Sequence, residues 1–205
     1  MNEFAQTKRL LAYRMALTRL QNMGLEKVFS YTLGREAGVS AELVRKDFSN
    51  YGIKGQRRGG YDINHLLSSL EKLFGKDRIQ NVIVVGMGNM GRALAGYKGF
   101  RENKMHIVAG FDIDPAKINK KFQIPVYPLE QLDEVVNIYH VKVAILAVPA
   151  IVAQESTDMV VRLGIKGILN LAPVLLKVPD DVHVNNVNLM VELERLMYHS
   201  GVLEK

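Results

Sequence analysis

A glycine-rich segment near the middle of the chain has the spacing of a dinucleotide-binding turn. Its glycines are Gly86, Gly88 and Gly91, with Asn89 and Met90 before the last of them, and it follows an apolar run. In such a turn the first glycine makes the bend, the second lets a pyrophosphate approach the backbone, and the third lets helix and strand pack closely. Free N–H groups at the N-terminus of the following helix then bind the phosphates.

A carboxylate follows the next apolar run, Ile107–Phe111, at a distance that suits the same site. Asp112 stands 26 residues after Gly86, where it can accept hydrogen bonds from both hydroxyls of an adenosine ribose. Because its charge would repel a 2′-phosphate, its position predicts NAD(H) as the cofactor rather than NADP(H). Asp114 competes for this role, but its place before Pro115 is typical of a helix N-cap.

Two later apolar runs, Val143–Val148 and Gly167–Leu171, end in loops that contain proline. Ligands of open α/β sheets bind outside the carboxyl ends of the strands, so these loops are expected to border the nicotinamide half of the cofactor. The residues concerned are Ala147, Pro149, Asn170, Ala172 and Pro173. For either loop alone, an ordinary loop proline is the alternative interpretation.

The glycine turn, Asp112 and the proline loops can meet only if a β-sheet positions them. Residues 79–186 have the sequence pattern of such a sheet. Short apolar runs alternate there with helical segments, which is typical of an α/β domain with a Rossmann-type, doubly wound parallel sheet. Strands are predicted at Val82–Val85, Ile107–Phe111, Val143–Val148 and Gly167–Leu171, and helices near 90–101, 129–139 and 151–163. In the remaining residues, 187–205, the predicted helix Asn188–His199 is too apolar to lie free in water. It must pack within the chain or on a partner subunit.

The first 78 residues have a different pattern, in which helices are separated by a glycine-containing turn. Helices are predicted over residues 7–24, Thr32–Ala37 and Ala41–Ser49. The turn Gly38–Ser40 has glycine at its head, and Ser40 is the expected N-cap of the third helix. This order predicts a helix-turn-helix, in which Arg45, Lys46 and Ser49 project outward.

The basic stretch Gly52–Tyr61 follows these helices and contains four glycines. Its three cations are Lys54, Arg57 and Arg58. This composition suits a β-hairpin wing whose backbone comes close to another surface, and a flexible linker is the alternative. With the preceding helices, it predicts a winged-helix domain over residues 1–78.

The positive charge of the chain is concentrated in that first domain. Residues 1–78 contain 14 Lys and Arg against 8 Asp and Glu, whereas residues 79–205 contain 13 of each. Clustered cations are favoured on phosphates by counterion release, which predicts a polyanion partner for the first domain. A solvated basic face that raises solubility is the alternative.

The composition excludes several classes of protein. The chain has no cysteine, which excludes disulfides, thiolate metal sites and thiol redox chemistry, so a redox response requires a bound cofactor. No apolar run reaches the length that crosses a bilayer, and the N-terminal residues lack the apolar region of a secretory signal. We therefore expect a cytoplasmic protein without metal or membrane partners.

The sequence offers no clear proton donor for a dehydrogenase. No Tyr-x-x-x-Lys pair exists, and none of the five histidines lies at a predicted strand end of the nucleotide site. We therefore predict that the chain is not an enzyme. The alternatives are an NAD-dependent oxidoreductase with an appended basic domain, and a DNA-binding protein that holds NAD(H) only structurally.

The chain resembles the Rex family of redox-sensing transcriptional repressors over essentially its whole length. The segments that carry the resemblance are Val44–Ser49, Gly60–Asp62, Gly86–Tyr97, Phe111–Pro115 and Gly164–Pro173. The resemblance implies a homodimer that binds an inverted-repeat operator in double-stranded DNA when NADH is low and leaves it when NADH binds. It also implies that residues 187–205 form a dimerisation helix exchanged between subunits.

The resemblance also implies roles for single residues. Arg45 and Lys46 would enter the major groove, and Arg57 and Arg58 would reach the minor groove or its phosphates. Tyr97 would lie near the nicotinamide and exchange hydrogen-bond partners with ligand state. The full set expected on the DNA-binding surface is Ser40, Arg45, Lys46, Ser49, Lys54, Arg57, Arg58 and Tyr61.

The chain departs from the family pattern at two places. The family wing reads Arg-Gly-x-Gly-Tyr, whereas this chain adds a second cation, Arg58, after Arg57. The family also has an aspartate at Asn188, and that aspartate links Tyr97 to an arginine of the first helix, here assigned to Arg14. An amide loses the charge-assisted part of such a bond, so the switch network Arg14–Tyr97–Asn188 is expected to couple NADH to DNA more weakly.

Overall fold

The computed structural model of the chain describes residues 3–55, 59–75, 78–119 and 123–201. The chain forms two compact units, Met1–Arg78 and Ile79–Lys205, and each has its own apolar core. The first unit is built from α1 (Glu3–Asn22), α2 (Ser30–Ala37), α3 (Ala41–Asn50), α4 (Ile63–Leu73), β1 (Lys27–Val28) and β2 (Tyr61–Asp62). Its four helices share one core, in which Tyr13, Leu33, Phe48 and Leu70 are fully buried.

The ends of the helices in this unit are set by capping residues. Gly38 ends α2 in the left-handed conformation, and the Ser40 hydroxyl accepts a hydrogen bond from the Leu43 N–H at 3.2 Å, as the sequence predicts. Helix α4 begins at Ile63, because the Asp62 carboxylate caps it by accepting from the His65 N–H at 2.8 Å.

The structure describes only the two ends of the wing segment, residues 52–55 and 59–61. Strand β2 pairs antiparallel with β1, with Lys27 opposite Asp62 and Val28 opposite Tyr61. Residues 56–58, at the middle of the expected hairpin, lie outside the described part of the chain, so the hairpin stays a prediction. The predicted contacts Arg57 and Arg58 lie outside the described residues.

The second unit is a six-stranded parallel sheet with helices. Its strands are β3 (Gln80–Val85), β4 (Met105–Phe111), β5 (Val126–Tyr127), β6 (Val143–Leu146), β7 (Gly167–Asn170) and β8 (His183–Asn186), in the spatial order β5-β4-β3-β6-β7-β8. Its helices are α5 (Asn89–Ala95), α6 (Lys98–Glu102), α7 (Leu132–Ile138), α8 (Ala150–Arg162) and α9 (Leu189–His199). The order reverses between β3 and β6, which confirms the predicted doubly wound fold.

Three details of this unit differ from the prediction. Strand β5 is only two residues long and β8 is mostly polar, so neither has an apolar run that marks a strand in the sequence. The helix expected near 90–101 is divided into α5 and α6, because the chain turns at Gly96, a residue with low helix propensity. No helix among the described residues is long and apolar enough to cross a membrane.

Candidate cofactor and DNA-binding sites

The turn after β3 has a backbone geometry that requires glycine at two positions. Gly86 has φ of 94°, and a Cβ there would collide with the carbonyl oxygen of Ala147. A Cβ at Gly91 would collide with the Gly86 carbonyl oxygen, so helix α5 lies directly on the turn. At Gly88 a Cβ would meet nothing within 4 Å, which leaves open space beside the N-terminus of α5. An anionic group can occupy that space.

The sheet gathers the predicted cofactor residues at the carboxyl ends of its strands. The Gly86 N–H donates to the Phe111 carbonyl at 2.8 Å, and the Ala147 N–H donates to the Val85 carbonyl at 2.8 Å. The residues brought to this edge are Gly86, Gly88, Asn89, Met90, Gly91, Asp112, Ala147, Pro149, Asn170, Ala172 and Pro173. They lie at the carboxyl edge of the sheet, around the point between β3 and β6 where the strand order reverses.

Asp112 is buried and surrounded by donors. Its carboxylate accepts from the Met87 N–H at 2.8 Å, from the Asp114 N–H at 2.9 Å and from the Lys117 ammonium at 3.1 Å. Burial alone would raise the pKa of Asp112, but these three donors more than offset it and the pKa is lowered. Lys117 was not singled out in the sequence, since a lone lysine in a short polar segment carries no pattern. Asp114 caps the turn Pro115–Lys117, as predicted.

Asn170 shapes the last loop of the site. Its side chain is completely buried, accepts from the Ala172 N–H at 3.0 Å, and donates to the Val174 carbonyl at 2.7 Å and to Asn186 at 2.8 Å. Its polar atoms therefore bond to the protein, and it holds Ala172 in place at the end of β7.

The residues of the predicted switch network lie in different elements. Tyr97 follows α5, at the end away from the glycine turn. Its ring packs edge-on against Phe100 at 5.2 Å and borders a cavity of about 690 Å³. Asn188 is the N-cap of α9, where its side chain accepts from the Met190 N–H at 3.1 Å. Arg14 lies half-buried on α1 in the other unit, and the proposed link between these three residues stays a prediction.

The exposed side of α3 carries the cations expected to contact DNA. The guanidinium of Arg45 donates to the Ser30 hydroxyl and to the Glu42 carboxylate, both at 2.9 Å. Lys46, Ser49 and Lys54 are exposed, and of these Lys46 and Ser49 lie on the same helix.

Tyr61 points toward the core of its unit. Its ring packs edge-on against Phe48 at 5.2 Å, and the side chain is partly buried. Burial raises the pKa of Tyr61, and the nearby Arg45 opposes that shift. The ring thus supports the base of the wing segment beside Arg45.

A buried ion pair that the sequence did not indicate fixes α3 against α1. Asp47 is fully buried and accepts two hydrogen bonds from the Arg9 guanidinium, each at 2.7 Å, and one from the Tyr13 hydroxyl at 3.0 Å. Burial and the neighbouring Asp47 carboxylate raise the pKa of Tyr13. Because Asp47 lies on α3 beside Lys46, this cluster sets the position of the helix that carries Arg45 and Lys46.

Two family models match the chain, one in each unit. The model described as "Putative DNA-binding protein N-terminus" matches residues 5–49, and the model described as "CoA binding domain" matches residues 77–174.

Among known proteins, similar sequences are named redox-sensing transcriptional repressor Rex. The protein from Carboxydothermus hydrogenoformans is 42% identical over 196 residues, which cover 95% of this chain and 94% of the relative. The protein from Lactobacillus acidophilus is 40% identical, over 95% of this chain and 92% of the relative.

Solved structures of one repressor are similar to the whole chain. RSP, a Rex-family repressor, in complex with β-NAD⁺ and operator DNA has a TM-score of 0.91 and 33% identity, covering 100% of this chain and 94% of its own. RSP in complex with β-NADH has a TM-score of 0.84 and 33% identity, covering 98% and 94%.

Proposed function

The chain belongs to the Rex family of redox-sensing transcriptional repressors, and from this premise we propose that it represses transcription under the control of NAD(H). It binds operator DNA through the Met1–Arg78 unit when NADH is low, and it leaves the DNA when NADH occupies the Ile79–Lys205 unit. The observation that carries this proposal is the pairing, in one chain, of an exposed cationic helix with a glycine turn of dinucleotide-binding geometry.

NAD(H) is the cofactor that suits the second unit. The open space at Gly88 and the free N–H groups of α5 suit a pyrophosphate, and Asp112 is placed to meet the adenosine ribose. The Lys117 ammonium lies 3.1 Å from this carboxylate, so ribose hydroxyls that bind Asp112 must share it with Lys117 or displace it. RSP was solved with both β-NAD⁺ and β-NADH, which supports this choice.

A homodimer on an inverted-repeat operator suits the first unit and α9. Two copies of α3, related by a two-fold axis, would place their Arg45 and Lys46 side chains in two half-sites of the duplex. Leu193 and Leu196 of α9 are 54% and 62% exposed in the single chain, so a partner subunit has apolar surface to cover. We propose that α9 is the dimerisation helix, exchanged between subunits, and that the protein acts in the cytoplasm, where operator DNA is located.

We also propose that the bound cofactor is sensed without being turned over. This proposal is supported by the names of the similar proteins, which are transcriptional repressors. The function then depends on the difference between the two forms of the cofactor in their effect on DNA affinity.

One titration tests the proposal. Operator binding by the full-length protein is measured by fluorescence anisotropy at fixed salt, with increasing NADH in one series and NAD⁺ in another. Release by NADH alone supports the sensor. An operator affinity that changes with neither cofactor contradicts the proposal. Oxidation of NADH in the presence of a small substrate would favour an oxidoreductase.

A further inference from the structure

Two aromatic side chains stack on the surface of the first unit. The rings of Phe29 and Tyr31 have centroids 5.6 Å apart and planes inclined by 13°. Phe29 is 42% exposed and Tyr31 is 64% exposed, whereas the aromatic side chains of the core, Tyr13 and Phe48, are fully buried. Stacking holds the two exposed rings in a fixed arrangement, which a contact with a ligand can use without a large ordering cost.

The pair touches the elements that are proposed to meet DNA. Ser30, between the two aromatic residues, accepts a hydrogen bond from the Arg45 guanidinium at 2.9 Å. On the wing side, a Cβ built on Gly60 would lie 3.2 Å from the Phe29 ring, so this ring packs on the backbone at the base of the wing segment. The aromatic pair therefore lies between the cationic helix α3 and the wing segment.

We propose that Phe29 and Tyr31 form an additional contact with the DNA backbone, a role that rests on the proposed operator binding. The Tyr31 hydroxyl donates a hydrogen bond to a phosphate oxygen, which can only accept. Phe29 holds the Tyr31 ring in place and packs against a deoxyribose. The partner is a phosphodiester backbone rather than a base edge, because Tyr31 lies in the first turn of α2, and the first helix of a helix-turn-helix crosses the DNA backbone while the second enters the groove.

A neutral hydrogen-bond donor and a cation that contact a phosphate differ in how they affect the salt dependence of DNA affinity. Each Lys or Arg that neutralises a phosphate adds about 0.9 to the slope of log K against log salt, because it releases a condensed counterion. Tyrosine is uncharged and releases none. Phosphate contacts also carry no sequence information, so this contact strengthens binding to operator and random duplexes equally.

The test is Tyr31→Phe in the full-length protein, which removes one hydroxyl and keeps the ring stack. Binding to an operator duplex and to a random duplex is measured by anisotropy at several salt concentrations. We expect roughly tenfold weaker binding to both duplexes and an unchanged salt slope. Lys46→Ala should instead lower the slope by about 1. Tyr139→Phe, an exposed tyrosine of the second unit, should change nothing.

A second variant tests the role of the stack. Phe29→Leu keeps the hydroxyl but removes the ring that positions it, and it should weaken binding by about threefold. The double variant should lose less affinity than the product of the two single losses, because Phe29 acts in part by positioning the Tyr31 hydroxyl. Circular dichroism checks that each variant is folded.

The failures of the two proposals are distinguishable. If the wild-type protein does not bind operator, the proposed function fails. If the wild type binds and Tyr31→Phe binds equally well, the aromatic contact is wrong while the repressor function stands. If sedimentation shows that Tyr31→Phe changes only the monomer–dimer equilibrium, the pair belongs to an interface between copies, and the DNA contact is again overturned.

Discussion

In the Ile79–Lys205 unit the candidate site is made mostly of backbone, whereas in the Met1–Arg78 unit it is made of side chains. The cofactor site depends on a turn in which Gly86 and Gly91 leave no space for a Cβ, and on strand ends joined by backbone hydrogen bonds. The proposed DNA-binding surface depends on Arg45 and Lys46, held on a helix that the buried carboxylate of Asp47 fixes in place. Substitutions that damage one unit should therefore be chemically different from those that damage the other.

The largest effect is expected where a side chain positions the whole DNA-facing helix. Asp47→Asn replaces one of the two acceptor oxygens with an N–H donor and leaves the partly exposed Arg9 guanidinium without its counter-ion, which should cost about 3–4 kcal/mol. We expect the first unit to unfold at a lower urea concentration and operator binding to be lost. The second unit should still bind NADH. Urea unfolding, operator anisotropy and NADH fluorescence measure the three quantities.

A matched control for this prediction is Glu36→Gln. Glu36 pairs with Arg19 in the same unit, but the Arg19 side chain is 60% exposed, so the loss should stay below about 1 kcal/mol. Equal unfolding midpoints for the two variants would mean that the Asp47 cluster does not fix α3.

The backbone character of the second site can be tested with two glycines of the same turn. Gly86→Ala places a Cβ against the Ala147 carbonyl at a φ of 94°, which should cost about 3 kcal/mol and abolish NADH binding. Gly88→Ala meets open space, so the melting temperature should not change. Its added methyl would instead crowd the pyrophosphate and weaken NADH binding roughly tenfold. Equal melting temperatures for the two variants would contradict the geometric argument.

The same difference explains what the sequence could predict. The glycine turn and the apolar strands are local patterns, so the doubly wound sheet and the residues at its carboxyl edge could be identified from spacing alone. Asp47 and Arg9 are 38 residues apart, and nothing in the sequence near either one marks the partner. The same holds for Lys117, which joins the site only because β4 ends beside its turn. Strand β8, His183–Asn186, was missed because it is mostly polar and at the edge of the sheet.

The ion pair between Lys117 and Asp112 gives the candidate cofactor site a pH dependence that can be tested. The lowered pKa of Asp112 means that its ionised form stabilises the folded state above about pH 4, and that this stability is lost as pH falls through the folded pKa. Lys117→Met removes one of the donors that lower this pKa, so the variant should be less stable at pH 7 by about 1 kcal/mol, and its stability should fall less than that of the wild type between pH 7 and pH 3. Melting temperatures measured between pH 3 and 7 test the shift.

Lys166→Met serves as the comparison for that experiment. Lys166 pairs with Asp181 on the surface of the same unit, where the two side chains are 52% and 65% exposed. Solvent screens such a pair, so its removal should leave the pH profile nearly unchanged. If Lys166→Met changed the pH dependence of the melting temperature more than Lys117→Met, the Lys117–Asp112 pair would not be the pair that contributes more to stability.

The smallest expected effect concerns the proposed coupling between the two units. Asn188→Asp restores the charge that the family has at this position, and a charge-assisted hydrogen bond is about twice as strong as a neutral one. We expect the ratio of operator affinities without and with NADH to rise roughly threefold. Asn185→Asp, an exposed position on β8, controls for the added negative charge.

The two parts of this measurement separate helix capping from coupling. An aspartate at 188 also caps α9 well, because the carboxylate can accept from the same Met190 N–H and interacts favourably with the helix dipole. Capping alone would raise the melting temperature and leave the affinity ratio unchanged. If the ratio changes only in Asn188→Asp, position 188 transmits the cofactor signal. If the ratio is the same in both variants, residues other than Asn188 couple NADH binding to operator binding in this chain. The coupling between the side-chain site of the Met1–Arg78 unit and the backbone site of the Ile79–Lys205 unit would then have to be sought at those other residues.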